Sequence, residues 1–169
     1  MSAASNAMVI DVVDGNNVPV GTISRGRVLA SHKNFRTVHI ILKDKEDNFL
    51  LQKLRNDHPR SPGLLGSSVA GYLKAGETYK AAARRKMLNE LHLRVPVSEI
   101  GQIAMHDEHS LKFITVFNGK FSSAPNFDTN QIDSLVYMPS NELHHRINYH
   151  PEIFTETFIS ICNAINIFK

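Results

Sequence analysis

The chain has 169 residues, 42% of them hydrophobic and 21% charged, with a formal net charge of +3. That length suits one domain with a good core, and the composition is that of a soluble globular protein. A charge of +3 is too small to argue for a nucleic-acid partner, whereas a locally basic mouth for an anionic small molecule stays open.

A single cysteine, Cys162, excludes an internal disulfide and a cysteine-rich metal centre, and fits a reducing compartment. No apolar run is long enough to span a bilayer and no charged-then-apolar leader is present, so the expected location is cytoplasmic, with no membrane partner. Residues 1–7 (MSAASNA) carry no pattern and read as a disordered or tag-derived extension, leaving 8–169 as a single domain.

In chain order, Met8–Asp14 and Val18–Ile23 are β-branched runs joined by Gly15-Asn16-Asn17, a hairpin signal. Ser24–Ser31 suits a short helix capped by Ser24. Arg36–Leu42 and Phe49–Leu54, parted by a charged turn, read as a second hairpin. Lys53 and Arg55 alternate there and share a face, either as a phosphate grip or as a solvated edge. Asn56–Ser68 is rich in Pro, Gly and Ser and reads as a loop.

The stretch Gly71–Val95 (GYLKAGETYKAAARRKMLNELHLRV) carries the chemistry. Its middle runs to Leu91 without Gly or Pro and is dominated by good helix formers. Glu77 and Thr78 suit a helix start, and Ala83, Met87 and Leu91 make an apolar stripe. Lys86, Asn89 and Glu90 stand at i, i+3 and i+4, so their side chains are expected on one face. Beyond it, Ile100–Ala104 and Leu111–Phe117 are strand candidates around a polar turn at His106–His109. Ser122–Thr129 is a loop, Ser134–Met138 a last strand, Ser140 a helix start, and Pro151–Phe168 a C-terminal helix with Phe154, Phe158, Ile161 and Ile165 in the core. The order of elements fits one α/β sandwich with a mixed sheet. His144, His145 and His150 lack a second ligand pair at metal spacing and read as surface histidines.

The Gly71 stretch resembles the Nudix box, G-x5-E-x7-R-E-U-x-E-E-x-G-U with U apolar. Gly71, Glu77, Arg85, Met87, Glu90 and Leu93 match; Lys86 and Asn89 stand at two family glutamates and His92 at the second glycine. The resemblance implies a single-domain α/β/α sandwich and a small-molecule diphosphate partner. It also implies Mg²⁺ or Mn²⁺ held by Glu90 with a carbonyl from Ala70 or Gly71. Glu77 and Arg85 are expected to tie the loop to the helix, with Glu90 read either as metal ligand or as one half of a surface ion pair. Lys86 opposes a metal yet favours phosphate.

The segments Leu50–Arg55, Ser61–Leu65 and Ser67–Glu77 further resemble the isopentenyl-diphosphate isomerase branch. That branch's cysteine before the glycine is Ala70 here, its histidine after it is Tyr72, and its paired later acids fall near Ser110 and Lys112. Only His32 persists among its metal ligands. A methyl group exchanges no proton, so isomerase activity is not expected.

The resemblance thus implies hydrolysis of a diphosphate linkage in a nucleoside diphosphate-X compound, by metal-assisted water attack weakened by the two lost glutamates. The other reading is a catalytically silent module that binds a nucleotide or prenyl diphosphate. The candidate catalytic set is Glu90, Arg85, Glu77, Lys86 and Asn89. The candidate substrate contacts are Lys53, Arg55, Arg36, Gly71 and Tyr72. A homodimer is a candidate assembly.

Overall fold

A computed structural model describes residues 3–168. Residues 1, 2 and 169 lie outside the described residues, and with them the start of the 1–7 extension. From Ala3 to Ala7 the chain forms one short helix, α1, none of whose residues is buried. The first hairpin forms as expected, β1 (Val9–Val13) against β2 (Pro19–Ser24). The helix expected after it is a single 3-10 turn at Arg25–Arg27, and Ser24 makes no side-chain cap.

The main sheet is built on β3 (Phe35–Lys43) and β4 (Phe49–Leu54). They form the predicted hairpin only at its base, where Leu42 and Lys43 pair with Leu50 and Phe49. The strands then splay, and the segment expected as loop fills the wedge. There β5 (Leu65–Gly66) pairs with β4, and β6 (Val69–Tyr72) pairs antiparallel with β3. Ser68, fully buried, sits at the fork: its hydroxyl accepts from Leu42 N–H at 2.7 Å and donates to the Leu50 carbonyl at 2.5 Å. One hydroxyl thus satisfies the two backbone groups that lose each other where the strands part.

A long hairpin, β7 (Val97–Asp107) and β8 (Ser110–Lys120), lies parallel to β3 through β8. Asp107 therefore belongs to a strand, and the tight turn is Glu108–His109, with Glu108 at φ 55°. On the other side, β9 (Ile132–Met138) pairs with β4 and forms that edge.

Strand alternation sends neighbouring residues to opposite faces. Val38, Ile40, Leu42, Leu50 and Phe117 face α2 (Tyr79–Leu91), meeting its Ala82, Ala83, Met87 and Leu91. Ile41, Phe49, Leu51, Ile114 and Val116 face α3 (Ser140–Tyr149) and α4 (Glu156–Ala164), meeting Leu143, Phe158 and Ile161. The result is the expected α/β/α sandwich with a mixed sheet.

The predicted helix Pro151–Phe168 is interrupted. Pro151–Ile153 make a 3-10 turn, Phe154 bridges to Leu65, and Thr155 caps α4 by accepting from Phe158 N–H at 3.3 Å. The Leu65 carbonyl takes the Thr155 N–H at 2.8 Å, so the chain leaves helical geometry to dock on β5. Phe154, Phe158 and Ile161 are core, as expected, with Ile165 partly buried beside them.

Candidate functional site

The site forms where β6 delivers the chain into α2. Thr78 caps the helix, its hydroxyl accepting from Ala81 N–H at 3.2 Å. Glu77, one residue earlier, accepts both arms of Arg85 at 2.8 Å and the Lys74 N–H at 2.8 Å. Arg85 also donates to the Tyr72 carbonyl at 3.0 Å, so one guanidinium fastens β6, the loop and α2 together. Burial works to raise the Glu77 carboxyl, but the Arg85 hydrogen bond, the Lys74 N–H and their charges hold it below the usual carboxylate range. At the far end His92, in the place of the family's second glycine, adopts the left-handed conformation at φ 53° and closes α2. Its ring contacts the Asn126 carbonyl at 2.7 Å.

The centre is Glu90, whose side chain is 10% exposed. Its Oε1 pairs with the Lys86 ammonium, one turn earlier on α2. Its Oε2 accepts from Gln52 Nε2 at 2.9 Å, and that amide also donates to the Ser68 carbonyl at 2.8 Å. Both carboxylate oxygens are therefore engaged, one by a cation and one by an amide. The Lys86 stem lies over Gly71: a Cβ built there would fall 2.7 Å from Lys86 Cδ and closer still to Cε. Glycine at this position leaves the space the lysine needs. The carbonyls around Ala70 and Gly71 belong to β6, which pairs with β3 from Thr37 to Ile40.

Of the three side chains expected on one face, two meet and one does not. Lys86 and Glu90 join through the i, i+4 relation, while Asn89 is exposed on the rim. It sits about 100° round the helix from Glu90, enough to carry it out of the interface.

The expected phosphate grip also disperses. Gln52 turns towards Glu90, so Lys53 turns to the opposite face of β4, where it lines a groove of about 450 Å³ with Leu65, Val136, Glu142 and Ile153 and pairs with Asp133 at 3.7 Å. Arg55 lies past the end of β4 and binds Asp57 at 2.9 and 3.1 Å and the Thr129 carbonyl at 2.9 Å. Arg36 is taken by the first hairpin, donating to Asn17 Oδ1 at 2.7 Å. Of the substrate contacts read from the sequence, only Gly71 meets the Glu90–Lys86 pair, through the Lys86 side chain.

Tyr72 lies on the other face of the sheet with the remaining isomerase-like positions. Ala70 pairs with His39 and Tyr72 with Thr37 on β3, and Tyr72 stacks on Phe35, which pairs with Lys112. The structure gathers these positions with altered chemistry. Lys112, where an acid was expected, donates to Asp107 Oδ2 at 3.1 Å and Thr157 Oγ1 at 2.8 Å. Arg60 closes on the same Asp107 carboxylate. Burial works against that carboxylate's charge, but Arg60 and Lys112 hold its pKa below the usual range. His39, buried, contacts Ser67 Oγ at 2.8 Å, and burial with the nearby Lys112 charge depresses its pKa to about 3. His32 is exposed beside His109, with ring centroids 4.6 Å apart.

A resident divalent ion does not fit the residues at Glu90. Mg²⁺ and Mn²⁺ take oxygen donors, and here the one box carboxylate on α2 is already neutralised by an ammonium. Among the described residues no group of three or more His, Cys, Asp or Glu is placed to hold a metal ion. Sequence reasoning missed Gln52 and Ser68. The signal for Gln52 was present, as an amide directly after the apolar run Phe49–Leu51.

This loop–helix on a mixed sheet is that of a recognised class: residues 33–158 match the NUDIX domain model, and the chain belongs to the Nudix family. It is similar to a prenyl-diphosphate phosphatase of Methanosarcina mazei, 28% identical over 95% of each chain. It is also similar to isopentenyl-diphosphate Delta-isomerase 2 of Photorhabdus laumondii, 24% identical over 94% of this chain and 92% of the relative. Among solved structures, DR0079 from Deinococcus radiodurans superposes with a TM-score of 0.78 at 20% identity, covering 92% of this chain and 97% of that one. No helix among the described residues is long and apolar enough to cross a membrane.

Proposed function

We propose that the protein acts on the diphosphate linkage of a small molecule, as a Nudix-type hydrolase whose turnover is weakened by the lysine and asparagine at two box positions. The observation that carries this reading is the buried Glu90, held by Gln52 and by Lys86, whose stem lies over Gly71 at the start of the loop–helix. Water attacks one phosphorus as its bond to the bridging oxygen breaks and the other phosphate leaves; Lys86 takes up charge on the phosphate oxygens, and Glu90, on a lone pair its partners leave free, accepts the water's proton. Similarity to a prenyl-diphosphate phosphatase and to an isomerase of isopentenyl diphosphate supports a prenyl diphosphate as substrate, beside the nucleoside diphosphate-X class. The engagement of both Glu90 oxygens favours a second reading, a binding module without turnover.

Incubation with prenyl diphosphates and nucleoside diphosphate derivatives, in Mg²⁺, in Mn²⁺ and in chelator, separates the two readings through released phosphate or nucleotide products. Under the first, product forms and Glu90→Gln reduces its rate at least 10-fold. Binding with no product, unchanged by Glu90→Gln, supports the module.

A further inference from the structure

The carboxylate at Glu90 meets a cation that belongs to the chain itself. Lys86 Nζ contacts Oε1, its stem fills the space above Gly71, and Gln52 occupies Oε2. Lys86 has no other ion-pair partner among the described residues, and its side chain is 20% exposed, so the ammonium is not enclosed. Three N–H groups leave it capacity for a phosphate oxygen while it holds Glu90. A divalent ion placed on Oε1 would have to displace this ammonium and would then share the space with a like charge.

We propose that Lys86 is a tethered substitute for the divalent ion: it fills the cation position on Glu90, excludes Mg²⁺ and Mn²⁺ from it, and presents the positive charge to which a diphosphate binds. The inference rests on the reading of this loop–helix as the diphosphate site, but its test does not require turnover. A side chain cannot dissociate, so the site keeps its cation whatever the metal supply. It also cannot acidify a bound water as a metal does, in keeping with weak turnover.

The test is Mn²⁺ titration followed by electron paramagnetic resonance, on the full chain. The wild type is expected to show no site at Glu90: its weak Mn²⁺ uptake is the same in Glu90→Gln. Lys86→Gln, which keeps a hydrogen-bond donor beside Glu90, is expected to bind Mn²⁺ at least 10-fold more tightly, and Lys86→Gln with Glu90→Gln to lose that gain. Gly71→Ala gives a second route, because its methyl group pushes the flexible end of Lys86 off Glu90 without touching either charge. It too is expected to gain Mn²⁺ affinity.

Stoichiometric Mn²⁺ binding by the wild type that Glu90→Gln abolishes would overturn the proposal. So would folded Lys86→Gln and Gly71→Ala proteins with no gain. Absence of hydrolysis in the substrate panel would remove the hydrolase reading and leave these results standing.

Discussion

Two buried side chains show how residue chemistry constrains this molecule. Glu90 is accommodated in the interior by an ammonium on one oxygen and an amide on the other, so a metal approaching either oxygen meets a partner already in place. His39 solves burial differently, by staying neutral. Its pKa lies near 3 in the fold, against about 6.5 in an open chain, so acidification protonates the unfolded chain first. The stability His39 contributes is present above pH 6.5 and is lost as pH falls towards 3. Denaturant unfolding at a series of pH values is expected to show a loss of about 1.4 kcal/mol per pH unit below 6.5. His39→Gln should flatten that slope between pH 6.5 and 5. Half-buried His58 is shifted the same way, so some slope will remain. An unchanged slope in His39→Gln would show that other groups set the acid response.

At the scale of elements, α2 is placed by its ends rather than by its face alone. Thr78 caps the start, Arg85 straps it to Glu77 and to the Tyr72 carbonyl, and His92 ends it. Arg85→Lys keeps the charge but cannot reach the carboxylate with a fork and the carbonyl together. It is expected to cost about 2 kcal/mol in thermal or denaturant unfolding. It should also loosen Lys86 over Gly71. No loss of stability would mean that the apolar contacts of Met87 and Leu91 hold the helix unaided.

This helix was legible in sequence because its signals are local: a cap, a run without Gly or Pro, and acid and arginine eight residues apart. The splay of β3 from β4 was not legible. It depends on Ser68 reaching two strands 18 and 26 residues away, and the Pro- and Gly-rich stretch before it gave only a loop signal. Alternation correctly predicted that successive residues on β4 face opposite ways, yet could not say which set faced α2. That choice, fixed by the register with β5 and β9, turned Gln52 to Glu90 and Lys53 away.

For the whole molecule, the two faces of one sheet divide the chemistry. On the α2 face a lysine and a glutamate neutralise one another beneath the loop–helix. On the α4 face the isomerase-like positions carry Ala70, Tyr72 and Lys112, with Asp107 held between Lys112 and Arg60. Neither face offers a cluster of metal ligands among the described residues, and both place a lysine where related chemistry would place an acid. The fold class was readable from the order of elements and the box. The pairing of Lys86 with Glu90 was readable from their spacing, whereas its burial was not, since that needs Gln52 and Gly71 brought in from other strands. The claim on which the functional reading depends is that this pair, and not a bound ion, supplies the positive charge for a diphosphate. Calorimetric titration with inorganic pyrophosphate tests it most directly. The wild type should bind in excess chelator with an affinity that Mg²⁺ alters less than 2-fold, and Lys86→Gln should bind at least 10-fold more weakly in chelator; binding that appears only with Mg²⁺, equally in both proteins, would contradict it.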